Sequence, residues 1–224
     1  MRRFVPVVLL FLAGCASRPG AIPVIDVPPP PPMVVRAPLP PGATPGMRIP
    51  AAMPDGSYPT PNQRLTTAAA VWHLRAGLNV AALSCPGVQG NGIIAAYTAL
   101  LKREKTGLAA AEKRYSEEFR AGGGDWQDRY DDAMTRLYNF FAQVPARTSL
   151  CSAAERSLAA AAAVPPGGLD AFAPAQVAAL DQPFADFYRA YDAWRRGALV
   201  ASAGPPPRAG LQLDPAVFGK PEAQ

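Results

Sequence analysis

Four groups of side chains carry whatever chemistry this 224-residue sequence can do. They are three cysteines (Cys15, Cys85, Cys151), one histidine (His73), an acidic cluster (Asp125, Asp128, Asp131, Asp132) and a pair of mid-helix asparagines (Asn79, Asn139). A hydrolase built on His73 needs a nucleophile and an orienting acid beside it. No Gly-x-Ser-x-Gly elbow or comparable motif marks a nucleophile, so His73 is expected to be a polar surface residue. The four aspartates suit acid–base, glycosidase or calcium chemistry. Yet the calcium-loop pattern fails, lacking its central glycine and closing glutamate, and a helix dipole already favours acidic residues in a first turn. Two cysteines and one histidine do not close a zinc shell without further ligands. Asn79 and Asn139, both poor interior helix residues, make a buried polar cluster or small pocket if they face inward. If they face outward they are ordinary solvent-facing polar residues. No catalytic residue, metal site or cofactor is assigned.

These side chains must be held by helices. Val71, Leu74, Leu78, Ala82 and Cys85 recur at helical steps, which makes one apolar face in a helix opened by Asn62 and ending near Leu83. Cys85-Pro86-Gly87 stops it. A second stripe is the clearest: Ile93, Tyr97, Leu100, Glu104, Leu108, Ala111, Tyr115 and Phe119 share one face, with Glu104 its only charged member. It predicts one continuous helix, closed by Gly122-Gly123-Gly124. Asp125 caps a third helix to Gln143, burying Trp126, Tyr130, Ala133, Leu137 and Phe140. Pro145 breaks that helix. An alanine-rich fourth runs from Arg147 to Ala163 and stops at Pro165-Pro166-Gly167-Gly168. After a short turn near residues 175–180, Asp181 caps a last helix. Its face of Phe184, Phe187, Tyr188, Tyr191 and Trp194 reads as core, or otherwise as an exposed patch awaiting a partner. Alternating β-branched segments are missing. Short connections favour antiparallel neighbours, so the expected fold is all-α, an up-and-down bundle of four to five helices over residues 63–197.

More than half of the 27 prolines lie between Pro19 and Pro61, including the run Pro28 to Pro32, and four more lie between Pro205 and Pro215. Such segments favour extended polyproline II and on composition are too poor in apolar bulk to offset the entropy of ordering. Residues 15–62 therefore read as a proline-rich tether and 198–224 as a disordered tail. The formal charge of +5 includes Arg2 and Arg3; between Arg64 and Gly197 there are 15 basic and 13 acidic residues. No basic stripe with interleaved aromatics is present, so no nucleic-acid partner is expected.

The first residues carry an address. Arg2 and Arg3 precede an apolar run, Val5 to Ala13, too short to span a bilayer, and small residues then lead into Cys15: a signal peptide. Leu12-Ala13-Gly14-Cys15 resembles the lipobox of bacterial lipoproteins. The resemblance implies cleavage after residue 14, a diacylglycerol on Cys15, and anchoring to a membrane through acyl chains at about 0.8 kcal/mol per buried CH₂. In that family an Asp after the cysteine favours the inner membrane. Here Ala16 and Ser17 follow, which points to the outer membrane, facing the periplasm. The segment from Arg75 to Cys85, with Tyr138-Asn139 and Leu150-Cys151, is also similar to a group of uncharacterised helical exported proteins of bacteria, a resemblance that brings no activity with it.

With Cys15 lipidated, Cys85 and Cys151 remain as an even pair in an oxidising compartment, and a disulfide between them is expected, two buried free thiols being the alternative. The up-and-down topology agrees, because the first helix ends at the pole where the fourth begins. The chain thus reads as a membrane-anchored envelope lipoprotein acting as a non-catalytic binding or assembly module. Its expected partners are the membrane, through Cys15, and an envelope protein or cell-wall component. The opposing reading is an envelope enzyme such as a cell-wall hydrolase, or an inhibitor of one.

Overall fold

The computed structural model describes residues 34–201. Six α-helices dominate: α1 (Thr67–Ser84), α2 (Gly87–Arg103), α3 (Lys105–Ala121), α4 (Trp126–Phe141), α5 (Arg147–Ala161) and α6 (Leu169–Arg195). The described residues are all-α apart from one antiparallel ribbon, in which β1 (Val34–Arg36) pairs with β2 (Leu199–Ala201), Val35 opposite Val200. The signal peptide, Cys15 and the first part of the proposed tether lie outside the described residues, as does the tail beyond residue 201.

Helix α1 is the axis of the molecule and touches all five other helices. Of its 18 residues 13 are buried, so it is apolar nearly all round rather than along one stripe, as a fully surrounded helix must be. Alanines at 68–70, 76, 81 and 82 keep it slim. Gly77 allows the closest approach: a Cβ there would stand 2.9 Å from both Leu180 Cδ1 and Phe141 Cζ. Thr66, not Asn62, is the N-cap, its hydroxyl accepting from Ala69 N–H at 3.1 Å. At the other end Cys85 is bonded to Cys151 of α5, with S–S 2.02 Å and Cα atoms 5.7 Å apart. The disulfide and the pole at which the two helices meet are as the sequence implied.

The long second helix is in fact two. Its break falls on Glu104, the one charged residue of the apolar stripe, which is 2% exposed. Its carboxylate accepts from Arg103 Nε at 2.9 Å and from Gly167 N–H at 3.2 Å, while Arg103 Nη2 donates to the Ala161 carbonyl at 2.8 Å. A buried charge is tolerable when it is paired and hydrogen-bonded, and here it ties the α2–α3 joint to the α5–α6 connection.

The last helix is longer than expected. It runs unbroken over 27 residues through Pro174 and Pro183. Each proline removes one backbone donor, and the carbonyls that lose a partner belong to Asp170 and Ala179, both exposed residues. Asp181 is therefore mid-helix and caps nothing. The aromatic face is core: Phe184, Tyr188 and Tyr191 are each no more than 2% exposed.

Much of what covers that face is the stretch expected to be a free tether. From Val34 onward it is a strap laid along α6. Ala37, Pro40 and Tyr58 are buried, and Met47, Ile49 and Leu65 pack on the core from its edge. Ala37 N–H donates to the Ala198 carbonyl at 2.7 Å, Tyr191 hydroxyl to the Thr44 carbonyl at 3.2 Å, and Tyr58 hydroxyl to Asp192 at 2.7 Å. The proline count concealed scattered apolar side chains that bury enough surface to hold an extended chain in place. The tail boundary shifts for the same reason, since Leu199–Ala201 pair with β1.

Candidate functional site

The densest chemistry lies where the strap, α1, α3 and α6 meet. Residue 73 falls on the helix face turned towards α3, and Tyr115 sits on the facing stripe of that helix. His73 is 3% exposed, not a surface residue. Its Nδ1 lies 2.8 Å from Asn62 Oδ1 and its Nε2 lies 2.9 Å from the Tyr115 hydroxyl. The amide oxygen of Asn62 can only accept, so Nδ1 carries the proton and Nε2 accepts from Tyr115. Asn62 Nδ2 in turn donates to Asp181 Oδ1 at 2.6 Å, and the Thr60 hydroxyl donates to Asp181 Oδ2 at 2.8 Å. A polar chain of Tyr115, His73, Asn62, Asp181 and Thr60 thus crosses four segments of the fold.

Burial sets its electrostatics. It pushes the His73 pKa down to about 4, keeping the ring neutral. Burial first, with the charge of Glu118 and the nearby Tyr130 adding to it, pushes Tyr115 up to about 12. Asp181 is raised by burial, an effect partly opposed by the hydrogen bonds from Asn62 and Thr60. Tyr58 is raised likewise by burial and by its bond to Asp192, whose carboxylate also meets Arg195 at 2.6 Å and Arg196 at 3.8 Å. Among the described residues every buried side-chain nitrogen or oxygen has a partner. Both imidazole nitrogens are committed, so His73 has no free nitrogen with which to activate a nucleophile. The chain fastens the strap to the bundle. The cleft beside Asn62 and Asp181 encloses about 190 Å³, below the range of small-molecule sites.

A larger open groove, about 440 Å³, runs between α3 and α4. Trp126 and Tyr130 form its apolar wall, and Glu112, Lys113 and Asp131 rim it. Arg120 stacks over the Trp126 ring at 4.8 Å, and Tyr130 packs edge-on against Phe119 and Tyr115. This is where the acidic cluster lies. Asp125 occupies the N-cap position of α4 but makes no side-chain capping bond, Asp132 pairs with Arg136 at 3.7 Å, and all four aspartates are exposed. Among the described residues no three of His, Cys, Asp and Glu converge as metal ligands.

The asparagine pair does not form a site. Asn79 is half-buried beside the Tyr97 hydroxyl, whereas Asn139 is exposed on α4, so no inward cluster joins them. Residue 139 falls between the buried positions 137 and 140, on the helix face turned to solvent. Sequence reasoning missed Asn62, Tyr115 and Asp181 as the partners that enclose His73, and the separate pair of Tyr58 and Asp192. One signal was present: Asp181 and Asp192 flank the aromatic face of α6 at helical steps from Phe184 and Tyr188, so carboxylates on a core face called for partners.

The architecture is that of an all-α bundle stapled by one disulfide and bound by an extended strap. Compared with protein-family models, with curated proteins and with solved structures, the chain matches none.

Proposed function

We propose that this protein is an exported lipoprotein, anchored through lipid on Cys15 at the bacterial outer membrane and facing the periplasm, whose bundle serves as a non-catalytic binding or assembly module. The observation that carries the reading is the Cys85–Cys151 bond, because such bonds persist in oxidising compartments. It agrees with the address written in Leu12-Ala13-Gly14-Cys15. The buried titratable groups support a binding role, since His73, Asp181, Asp192 and Glu104 are spent on holding segments together. The α3–α4 groove is the face offered to an envelope protein or cell-wall component.

One observation favours the enzyme reading: the groove sets Glu112 and Asp131 in one lining beside an aromatic wall, the residue types a cell-wall hydrolase uses. Both carboxylates are exposed, however, and a general acid depends on burial to raise its pKa. Mass spectrometry of the membrane-extracted protein tests the anchor, with an acylated Cys15 expected and an unmodified N-terminus overturning it. Copurification from solubilised membranes tests the module. A partner lost on Trp126→Ala supports the groove as the binding face, and cell-wall hydrolysis that disappears in Glu112→Gln or Asp131→Asn would establish the enzyme instead.

A further inference from the structure

Exposed apolar side chains are not spread evenly over this protein. Among the described residues, six of the seven large ones lie at one pole: Val34, Val35, Leu83, Val88, Val144 and Leu199, leaving only Ile94 on the flank of α2. Leu83 and Val88 are more than 80% exposed and bracket Cys85. Val144 opens the turn that leads into α5, which the disulfide joins to the end of α1. The ribbon belongs to the same end. Gly42 of the strap abuts Pro145, with a Cβ placed there falling 3.1 Å from Pro145 Cα, and Tyr188 of α6 donates to Gln143 at 2.8 Å. The opposite pole, at residues 121–125 and 162–168, exposes no large apolar side chain.

The charge at this pole is basic on balance, although Glu155, exposed and accepting from Gln89 beside Val88 at 2.8 Å, adds one carboxylate. Arg36 and Arg147 have no carboxylate within ion-pair reach among the described residues. Arg195 and Arg196 share the single buried carboxylate of Asp192. Val34 is also where the N-terminal chain enters the fold, and only 18 residues separate it from Cys15. Even fully extended they reach no more than about 65 Å.

We infer that the disulfide pole is a lipid-facing surface that docks on the anionic phospholipid bilayer holding the Cys15 anchor, with Leu83, Val88, Val144 and the ribbon entering the headgroup layer and Arg36 and Arg147 meeting phosphates. The inference rests on the lipoprotein reading above. A scattered apolar patch of this kind binds a membrane feebly alone. Tethering makes the second contact intramolecular, at an effective concentration in the millimolar range for a short linker, so a feeble surface suffices. Docking would leave the far pole, with the Trp126 end of the α3–α4 groove, directed into the periplasm.

The test uses the full lipidated chain reconstituted into phosphatidylethanolamine–phosphatidylglycerol vesicles, into pure phosphatidylcholine vesicles, and into detergent, followed by amide exchange. A pole docked nine-tenths of the time slows exchange of residues 83–90 and 144–149 about tenfold in the anionic vesicles relative to detergent. Residues 121–126 and 162–168 should not change. Leu83→Ser with Val88→Ser, both at exposed positions and so harmless to folding, should abolish the protection, and phosphatidylcholine should weaken it. Equal exchange in vesicles and detergent on an acylated protein overturns the docking and leaves the anchor standing. Protection that instead rises with protein density and persists in detergent identifies a second copy as the occupant and likewise overturns it. A sample whose mass shows no acyl group on Cys15 overturns the anchor itself.

Discussion

Tyr58→Phe asks whether the strap belongs to the fold or merely lies on it. The ring of Tyr58 is 5% exposed and packs 5.5 Å from that of Tyr188, and its hydroxyl donates to Asp192 at 2.7 Å. A hydrogen bond to a charged group contributes about 1.5–3 kcal/mol. Asp192 keeps Arg195 and Arg196 when the hydroxyl is gone, so the lower end applies, about 1.5 kcal/mol. For a domain of this size that lowers Tm by about 3–6 °C. Tyr58→Ala also removes the buried ring and should cost about 3–5 kcal/mol. Thermal and urea unfolding measure both, and amide exchange at residues 53–62 reports the strap directly. In a double-mutant cycle with Asp192→Asn the two changes should couple by about 1 kcal/mol, because the partners are in contact. If Tyr58→Phe and Tyr58→Ala both leave Tm unchanged while the strap exchanges freely, the strap is a separate unit and the argument for its packing is wrong.

Stability should fall in acid. The folded pKa of His73 is about 4 against about 6.5 unfolded, so the unfolded chain binds the extra proton as pH drops from about 6.5 towards 4, and up to about 3 kcal/mol is lost over that window. Asp181, raised by burial, opposes this between its ordinary value and its raised one, where the folded state takes up the proton first. His73→Gln should flatten the urea-midpoint profile between pH 6.5 and 4, and an unchanged slope would refute the assignment. Reducing Cys85–Cys151, which spans 66 residues, should remove at most about 4 kcal/mol and lower Tm with far-ultraviolet helicity retained; complete loss of helix would show that the core is too weak to stand without its staple. Gly77→Ala should destabilise by about 1–2 kcal/mol in urea unfolding, because overpacking against Leu180 and Phe141, both buried and unable to move aside, outweighs the gain of about 1 kcal/mol in helix propensity. A more stable variant would disprove the close approach of α1 to α6.

Local signals along the chain determine a good deal of this molecule. Apolar residues at three- and four-residue steps mark the helical faces, and Pro86-Gly87, Gly122–Gly124 and Pro165–Gly168 end α1, α3 and α5 where the backbone ends them, because such signals act within a turn or two of the residue concerned. The disulfide also followed, from the parity of the cysteines and the order of the helices. What depends on distant partners was not legible. His73 reads as a surface histidine until Asn62 and Tyr115, 11 and 42 residues away, close over it. Glu104 reads as a blemish in a stripe until Gly167, 63 residues away, brings a backbone N–H to its carboxylate. The prolines between 34 and 62 read as a tether because composition averages over a segment, whereas packing depends on a few side chains such as Tyr58 meeting a matching site on α6. Periodicity reports which face of an element is apolar; only the tertiary structure decides what that face meets, since the free energy of burying it belongs to the pair of surfaces and not to either one alone.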